Sequence, residues 1–190
     1  SGYELANNGY NGSAALNVWS NSRDNQGLYL FATDANKNTY KFPSTAYLRV
    51  WVDFTDMDFR KANFGLIAPT GDLYTTDESD NVPDLFFYYL PEGSDTWQEY
   101  KHGGDGCFGV EQASSVAGFK GWMAFPVKDF TYRYGTGSGA GSSGEAYPHN
   151  EIAGVYMFWN YSSGTTAGAK FVLDELQLVE DYTVFEEYNQ

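Results

Sequence analysis

The sequence predicts an all-β protein, a two-sheet antiparallel β-sandwich of the jelly-roll kind. Three observations predict it. Short apolar runs recur along the chain, each closed off by Gly, Asn, Asp, Pro or Ser, the pattern of strands joined by turns. No stretch sustains the apolar period of a helix. The length of 190 residues suits one large domain that buries a core without disulfide staples.

The elements follow in order. Strands are expected at Ala15–Trp19, Gly27–Thr33, Ala46–Phe54, Phe64–Ala68, Leu85–Leu90, Trp97–Lys101, Trp122–Val127, Ile152–Tyr161 and Lys170–Val179, with one helical turn between Asp56 and Asn63. The segment from Ala46 is the most legible. Leu48, Val50, Val52 and Phe54 alternate with Tyr47, Arg49, Trp51 and Asp53. Strand side chains point to opposite faces in turn, so the first set belongs to the core. The second set gathers two aromatics, a cation and a carboxylate on the other face. Residues 134–146 are dominated by Gly and Ser and read as a flexible loop over one face of the sandwich rather than a domain boundary. Residues 1–190 are therefore expected to form a single module, with Ser1-Gly2 resembling the remnant of a trimmed tag. A monomer is expected, cut from a larger multidomain protein.

Charge narrows the partners. Lys plus Arg number 11 against 25 Asp plus Glu, a net charge of −14. No basic face is available to release counterions from nucleic acid. Anionic membranes and acidic polysaccharides are disfavoured by the same repulsion. No apolar run approaches the ~20 residues that span a bilayer. Cys107 is the single cysteine, which excludes an intramolecular disulfide and a Cys-based metal site. Aromatic residues are abundant at 18% of the chain, with 16 Tyr, 14 Phe and 5 Trp, and 21 Gly accompany them. Such a composition fits secreted all-β proteins that bind sugars, and equally an aromatic-rich core.

Three segments, in order, carry a resemblance. Gly12-Ser13-Ala14-Ala15-Leu16-Asn17-Val18, the stretch Gly118-Phe119-Lys120-Gly121-Trp122-Met123-Ala124-Phe125-Pro126 running on to Phe130, and Phe171-Val172-Leu173-Asp174-Glu175-Leu176 resemble the opening, closing and final strands of the galactose-binding-like jelly-roll carbohydrate-binding modules of bacterial glycan-degrading systems. In the last segment Glu175 stands where the family usually has a second Asp. The resemblance implies an extracellular or cell-surface module of a starch-adherence or cellulosome-like system. It also implies one structural Ca²⁺ at the sandwich edge, for which Asp174 matches the motif position and Glu4 is the nearest N-terminal candidate. Calcium takes six to eight oxygen ligands; the other reading of Asp174 is a hydrogen bond to neighbouring backbone.

Sugars present an apolar C–H face and a fringe of hydroxyls. Flat aromatics cover the first with little loss of side-chain entropy, and Asp, Asn, Gln or Arg satisfy the second. Trp97 and Tyr100 lie in a polar stretch and form the first candidate pair, although Trp97 would also serve as a cap on the sandwich edge. Trp51 and Tyr47 form the second, with Arg49 and Asp53 as hydroxyl partners. Tyr132 and Tyr134 flank the glycine loop. Trp122 and Trp159 read as structural, Trp19 and Tyr88 either way. The acidic run Asp77, Glu78, Asp80 does not complete an EF-hand.

No jelly-roll glucanase carboxylate pattern, nucleophile elbow or zinc motif is present, and the two histidines, His102 and His149, lie in no motif. The expected function is therefore non-catalytic binding of a neutral polysaccharide or oligosaccharide, with starch or another α-glucan ahead of a plant cell-wall β-glycan. The alternatives are a glycan-active hydrolase or lyase, and a structural or docking module of a surface complex. Fold alone does not choose among them.

Overall fold

The computed structural model describes residues 1–22, 26–31, 39–57, 59–75, 85–102, 118–134, 146–161 and 166–183. Seven strands make one sheet, in the order β1 (Gly2–Ala6), β2 (Ala15–Trp19), β14 (Lys170–Val179), β5 (Tyr47–Asp53), β10 (Lys120–Pro126), β8 (Leu85–Pro91) and β9 (Gln98–His102). Five make the other, in the order β11 (Thr131–Tyr134), β7 (Leu73–Thr75), β6 (Phe59–Ile67), β13 (Gly154–Tyr161) and β3 (Gln26–Phe31). A short pair, β12 (Glu151–Ile152) and β4 (Tyr40–Lys41), stands beside them. The pairings are antiparallel throughout.

The two large sheets face each other across one apolar core, the sandwich that the sequence predicts. Leu48, Val50, Val52, Met123, Phe125 and Phe171 from the first sheet meet Phe64, Leu66, Val155, Met157 and Trp159 from the second. Rings lock the sheets together: Phe64 lies 5.4 Å from Phe125, Phe59 lies 5.5 Å from Phe171, and Trp159 lies 5.1 Å from Phe171. Each such side chain withdrawn from water contributes roughly 1.5–3 kcal/mol. Among the described residues no helix is long and apolar enough to cross a membrane.

Among the described residues between Asp56 and Asn63 the expected helical turn is replaced by a turn and a strand. A turn at Thr55–Asp56 is closed by Met57 N–H donating to the Phe54 carbonyl at 2.9 Å, and β6 starts at Phe59. The register of β6 against β13 slips near Tyr161, which pairs with Phe59 while Asn160 pairs with Lys61. This irregularity leaves Phe59 and Ala62 both in the core, three residues apart, and that spacing imitates one face of a helix. Gly2 belongs to β1 and pairs with Trp19. Of the loop expected at 134–146, Tyr134 ends β11 and Ala146 forms an isolated bridge, while 135–145 lie outside the described residues. Cys107 and the Asp77, Glu78, Asp80 run also lie outside them.

A second irregularity shapes the outer face of the seven-stranded sheet. Asp174 pairs with Trp51 and Gln177 with Arg49, so β14 carries one residue more than β5 in this interval. Glu175 takes up the excess in the left-handed region, φ 48°, which costs a non-glycine residue ~1 kcal/mol or more. Its N–H donates to Asp174 Oδ1 at 2.9 Å, and its carboxylate accepts from Gln177 Nε2 at 2.9 Å. Asp174 and Gln177 thereby both face outward, each beside an outward residue of β5.

Candidate functional site

Register places the outward side chains of four strands in rows. One row reads Leu90, Trp122, Trp51, Asp174 across β8, β10, β5 and β14. On one side the next row reads Tyr88, Ala124, Arg49, Gln177. On the other side Lys120 faces Asp53. The alternation of β5 thus delivers Tyr47, Arg49, Trp51 and Asp53 to one face, and the same period in β10 sets Trp122 beside Trp51.

The two indoles form the floor of a cleft of about 460 Å³, within the usual range for ligand sites. One wall is the 3₁₀ turn Tyr10–Gly12, the other the turn from Leu90 to Ser94. Tyr10 presents its ring to Trp122 at 5.0 Å and 70°, and to Trp51 at 6.4 Å. The rim is polar. Lys120 pairs with Glu92 at 3.2 Å and with Asp53 at 3.7 Å, and its ammonium lies 5.8 Å from the Trp51 ring centre. Asp53 also accepts hydrogen bonds from Thr55 N–H and Oγ1.

Asp174 builds the tyrosine wall. Its Oδ2 accepts from Tyr10 N–H at 2.8 Å and from Ser13 Oγ. Gly9 leaves room for this, since a Cβ there would sit 2.2 Å from Asp174 Oδ2 and 2.7 Å from the Ala15 methyl. Asn11 and Gly12 then turn the chain with φ of 51° and 79°, a region that Asn and Gly adopt most readily. Glu4, the other candidate calcium ligand, forms an exposed ion pair with Lys170. Both Asp174 oxygens face donors, and among the described residues no group of three or more His, Cys, Asp or Glu is placed to hold an ion.

No protein-family model, curated protein or solved structure matches this chain. The chemistry of the cleft carries the functional reading.

The residues named from sequence are partly brought together. Trp51, Trp97, Tyr47, Arg49 and Asp53 share the outer face. Trp97 is half-buried and packs beside the indole cluster. Tyr100 parts from it. β9 begins at Gln98, just after Trp97, and Tyr100 faces inward, 5% exposed and stacked on Phe87 at 4.5 Å and 22°. Arg49 is not a surface partner for hydroxyls. It is fully buried, with its guanidinium 5.0 Å over Trp122, Nη2 donating to Gln177 Oε1 at 2.5 Å and Nη1 to the Tyr182 carbonyl at 3.4 Å. Tyr134 ends β11, at the edge of the opposite sheet. Sequence reasoning assigned Trp122 to structure, read Tyr88 either way, and did not name Tyr10, Lys120, Glu92 or Tyr182. The alternation Lys120, Trp122, Ala124 was the available signal for Lys120 and for the outward face of Trp122. Tyr182 and Tyr88 lie too far apart in sequence for any local pattern to join them.

Tyr182 lies over the second row. Its ring stacks on Tyr88 at 4.0 Å and 7°, and meets Trp97 at 5.1 Å and Tyr47 at 5.2 Å edge to face. Burial, then the neighbouring phenols and carboxylates, raise both the Tyr88 and the Tyr182 hydroxyl above the ordinary tyrosine range. Both phenols are therefore neutral at physiological pH and keep apolar ring faces.

Proposed function

We propose that this chain binds a neutral oligosaccharide or polysaccharide in the cleft above Trp51 and Trp122, without catalysing a reaction on it. The observation that carries the reading is the pair of indoles set side by side by strand register on the floor of a cleft with a polar rim. Indole faces take the C–H faces of sugar rings with little entropic loss, and Lys120, Glu92, Asn11 and Ser94 line the cleft around them, with Asp53 paired to Lys120. A net charge of −14 favours a neutral ligand over an acidic one. Hydrolysis would need two carboxylates on either side of the scissile bond. The rim carboxylates Asp53 and Glu92 instead share one lysine.

Affinity electrophoresis in gels containing amylopectin, xyloglucan or glucomannan tests the reading. The native domain is expected to be retarded in at least one gel. Trp51→Ala and Trp122→Ala are each expected to weaken that retardation about tenfold or more, since one stacked ring plus its buried area contributes ~1.5 kcal/mol or more. A single observation favours a second reading, a structural or docking module: Trp51 and Trp122 are only 3% and 4% exposed. Free migration in every gel would select it.

A further inference from the structure

We propose that Tyr182 sets the length of ligand the cleft accepts, so that the site takes chain ends and short oligosaccharides rather than the interior of a polymer. The proposal rests on reading the cleft as a sugar site.

The geometry is that of a groove closed at one end. Outward residues two apart on a strand are separated by about 7 Å. The row of Tyr88, Ala124 and Arg49 therefore lies one short step beyond the indole floor, where the next unit of a bound chain would rest. Ala124 at its centre is fully buried, as is Arg49, whose guanidinium lies 5.0 Å over the Trp122 ring, so the cleft ends at this row. A ring already lies there. Tyr182 covers Tyr88 face to face at 4.0 Å and 7°, the arrangement that a sugar stacked on Tyr88 would adopt. The phenol is held by more than this stack. Trp97 and Tyr47 meet it edge to face, and Arg49 donates to its carbonyl. The turn that delivers it is tied by Thr183 N–H and Oγ1, both donating to Asp181 Oδ1, at 2.9 and 2.8 Å. The opposite end, at Lys120 and Asp53, carries among the described residues the rim ion pairs and the Thr55 hydrogen bonds to Asp53. A chain lying on Trp51 and Trp122 leaves by that end and abuts Tyr182 at the other.

The test titrates α-1,4- and β-1,4-linked gluco-oligosaccharide ladders, from the dimer upward, against the native domain, Tyr182→Ala, Asp181→Ala and Trp51→Ala. Thermal melts confirm that each variant is folded. The native affinity is expected to stop rising at a short oligomer. In Tyr182→Ala it is expected to go on rising with length, by roughly threefold to tenfold for the newly exposed Tyr88 face. Asp181→Ala loosens the turn without touching the stack and is expected to move the same way to a lesser degree, which keeps the proposal testable if Tyr182→Ala does not fold. Identical length dependence in native and variant proteins would overturn the role of Tyr182 while leaving the cleft reading intact. A Trp51→Ala variant that binds every oligomer as the native domain does would overturn the cleft reading itself. So would a native domain that binds neither ladder and no gel polysaccharide, and the proposal would fall with it.

Discussion

Tyr10 reaches over Trp122 because a single carboxylate holds the turn beneath it. Asp174 accepts from Tyr10 N–H, Ser13 Oγ–H and Glu175 N–H, joining the cleft wall to the bulge of β14. Hydrogen bonds to a charged acceptor are stronger than neutral ones, and donors left without an acceptor add their own cost. Asp174→Ala is therefore expected to lower stability by about 2–3 kcal/mol and to weaken sugar binding, because the wall is released. Trp51→Ala keeps the wall and loses the floor, so it should weaken binding while leaving the Tyr10 turn in place. Thermal melts and affinity gels read the two effects separately. Removing divalent ions with a chelator is expected to leave the melting temperature where it was. A fall on chelation that Asp174→Ala abolishes would instead return this residue to the calcium role that the family resemblance implies.

β10 shows why some elements were legible and some were not. Its core side, Met123 and Phe125, and its outer side, Lys120 and Trp122, follow the period of two that any strand with one face in a core must show. β5 announces itself in the same way, whereas β8, apolar on both faces, and β14, broken by its bulge, show as apolar runs closed by turn residues. β4, β7 and β11 did not, being strands of two to four residues, too short for a period to register, and β1 did not because it is an edge strand with no buried face. β6 was misread at its start because the slip in its pairing with β13 puts Phe59 and Ala62 at a helical spacing. The site was legible where it sits on one strand, as Trp51 does, and opaque where it depends on two distant segments meeting, as Tyr182 and Tyr88 do. Gly121 carries a constraint that no periodicity reveals. Its φ is 148°, and a Cβ would lie 2.1 Å from the Leu90 carbonyl oxygen and 3.0 Å from the Glu92 nitrogen. These two and the Pro91 Cα, also at 3.0 Å, are all backbone, which cannot swing aside as a flexible side chain would. Gly121→Ala is expected to destabilise the domain by well over ~1 kcal/mol and to push β8 from β10, separating Leu90 from Trp122. Equilibrium urea unfolding measures the first effect. A variant as stable as the native domain would show that the two strands separate at no cost.

Across the whole molecule, net charge and the proposed binding cleft are divided. The chain carries 25 acidic side chains against 11 basic ones, while the cleft floor is made of neutral rings and its rim pairs Lys120 with two carboxylates. Excess like charge destabilises the compact state through self-repulsion, and salt screens exposed charges over about 10 Å at 0.1 M. Stability and binding are therefore expected to respond to salt in different ways. The melting temperature should rise as sodium chloride is raised from about 0.02 M to about 0.5 M, where the screening length falls below 5 Å. Affinity for a neutral oligosaccharide should stay flat over the same range, because stacking and hydroxyl contacts involve no net charge. The ion pairs of Lys120 are partly exposed and contribute ~1 kcal/mol or less each, too little for their screening to reshape the floor. A steep fall in affinity with salt would instead mean a cationic ligand drawn by the acidic surface, and would transfer the function from the cleft to that surface. Calorimetric titration at the two salt levels, with Trp51→Ala alongside, separates these outcomes: salt-insensitive binding that disappears in the variant belongs to the cleft, and salt-sensitive binding that survives in the variant does not.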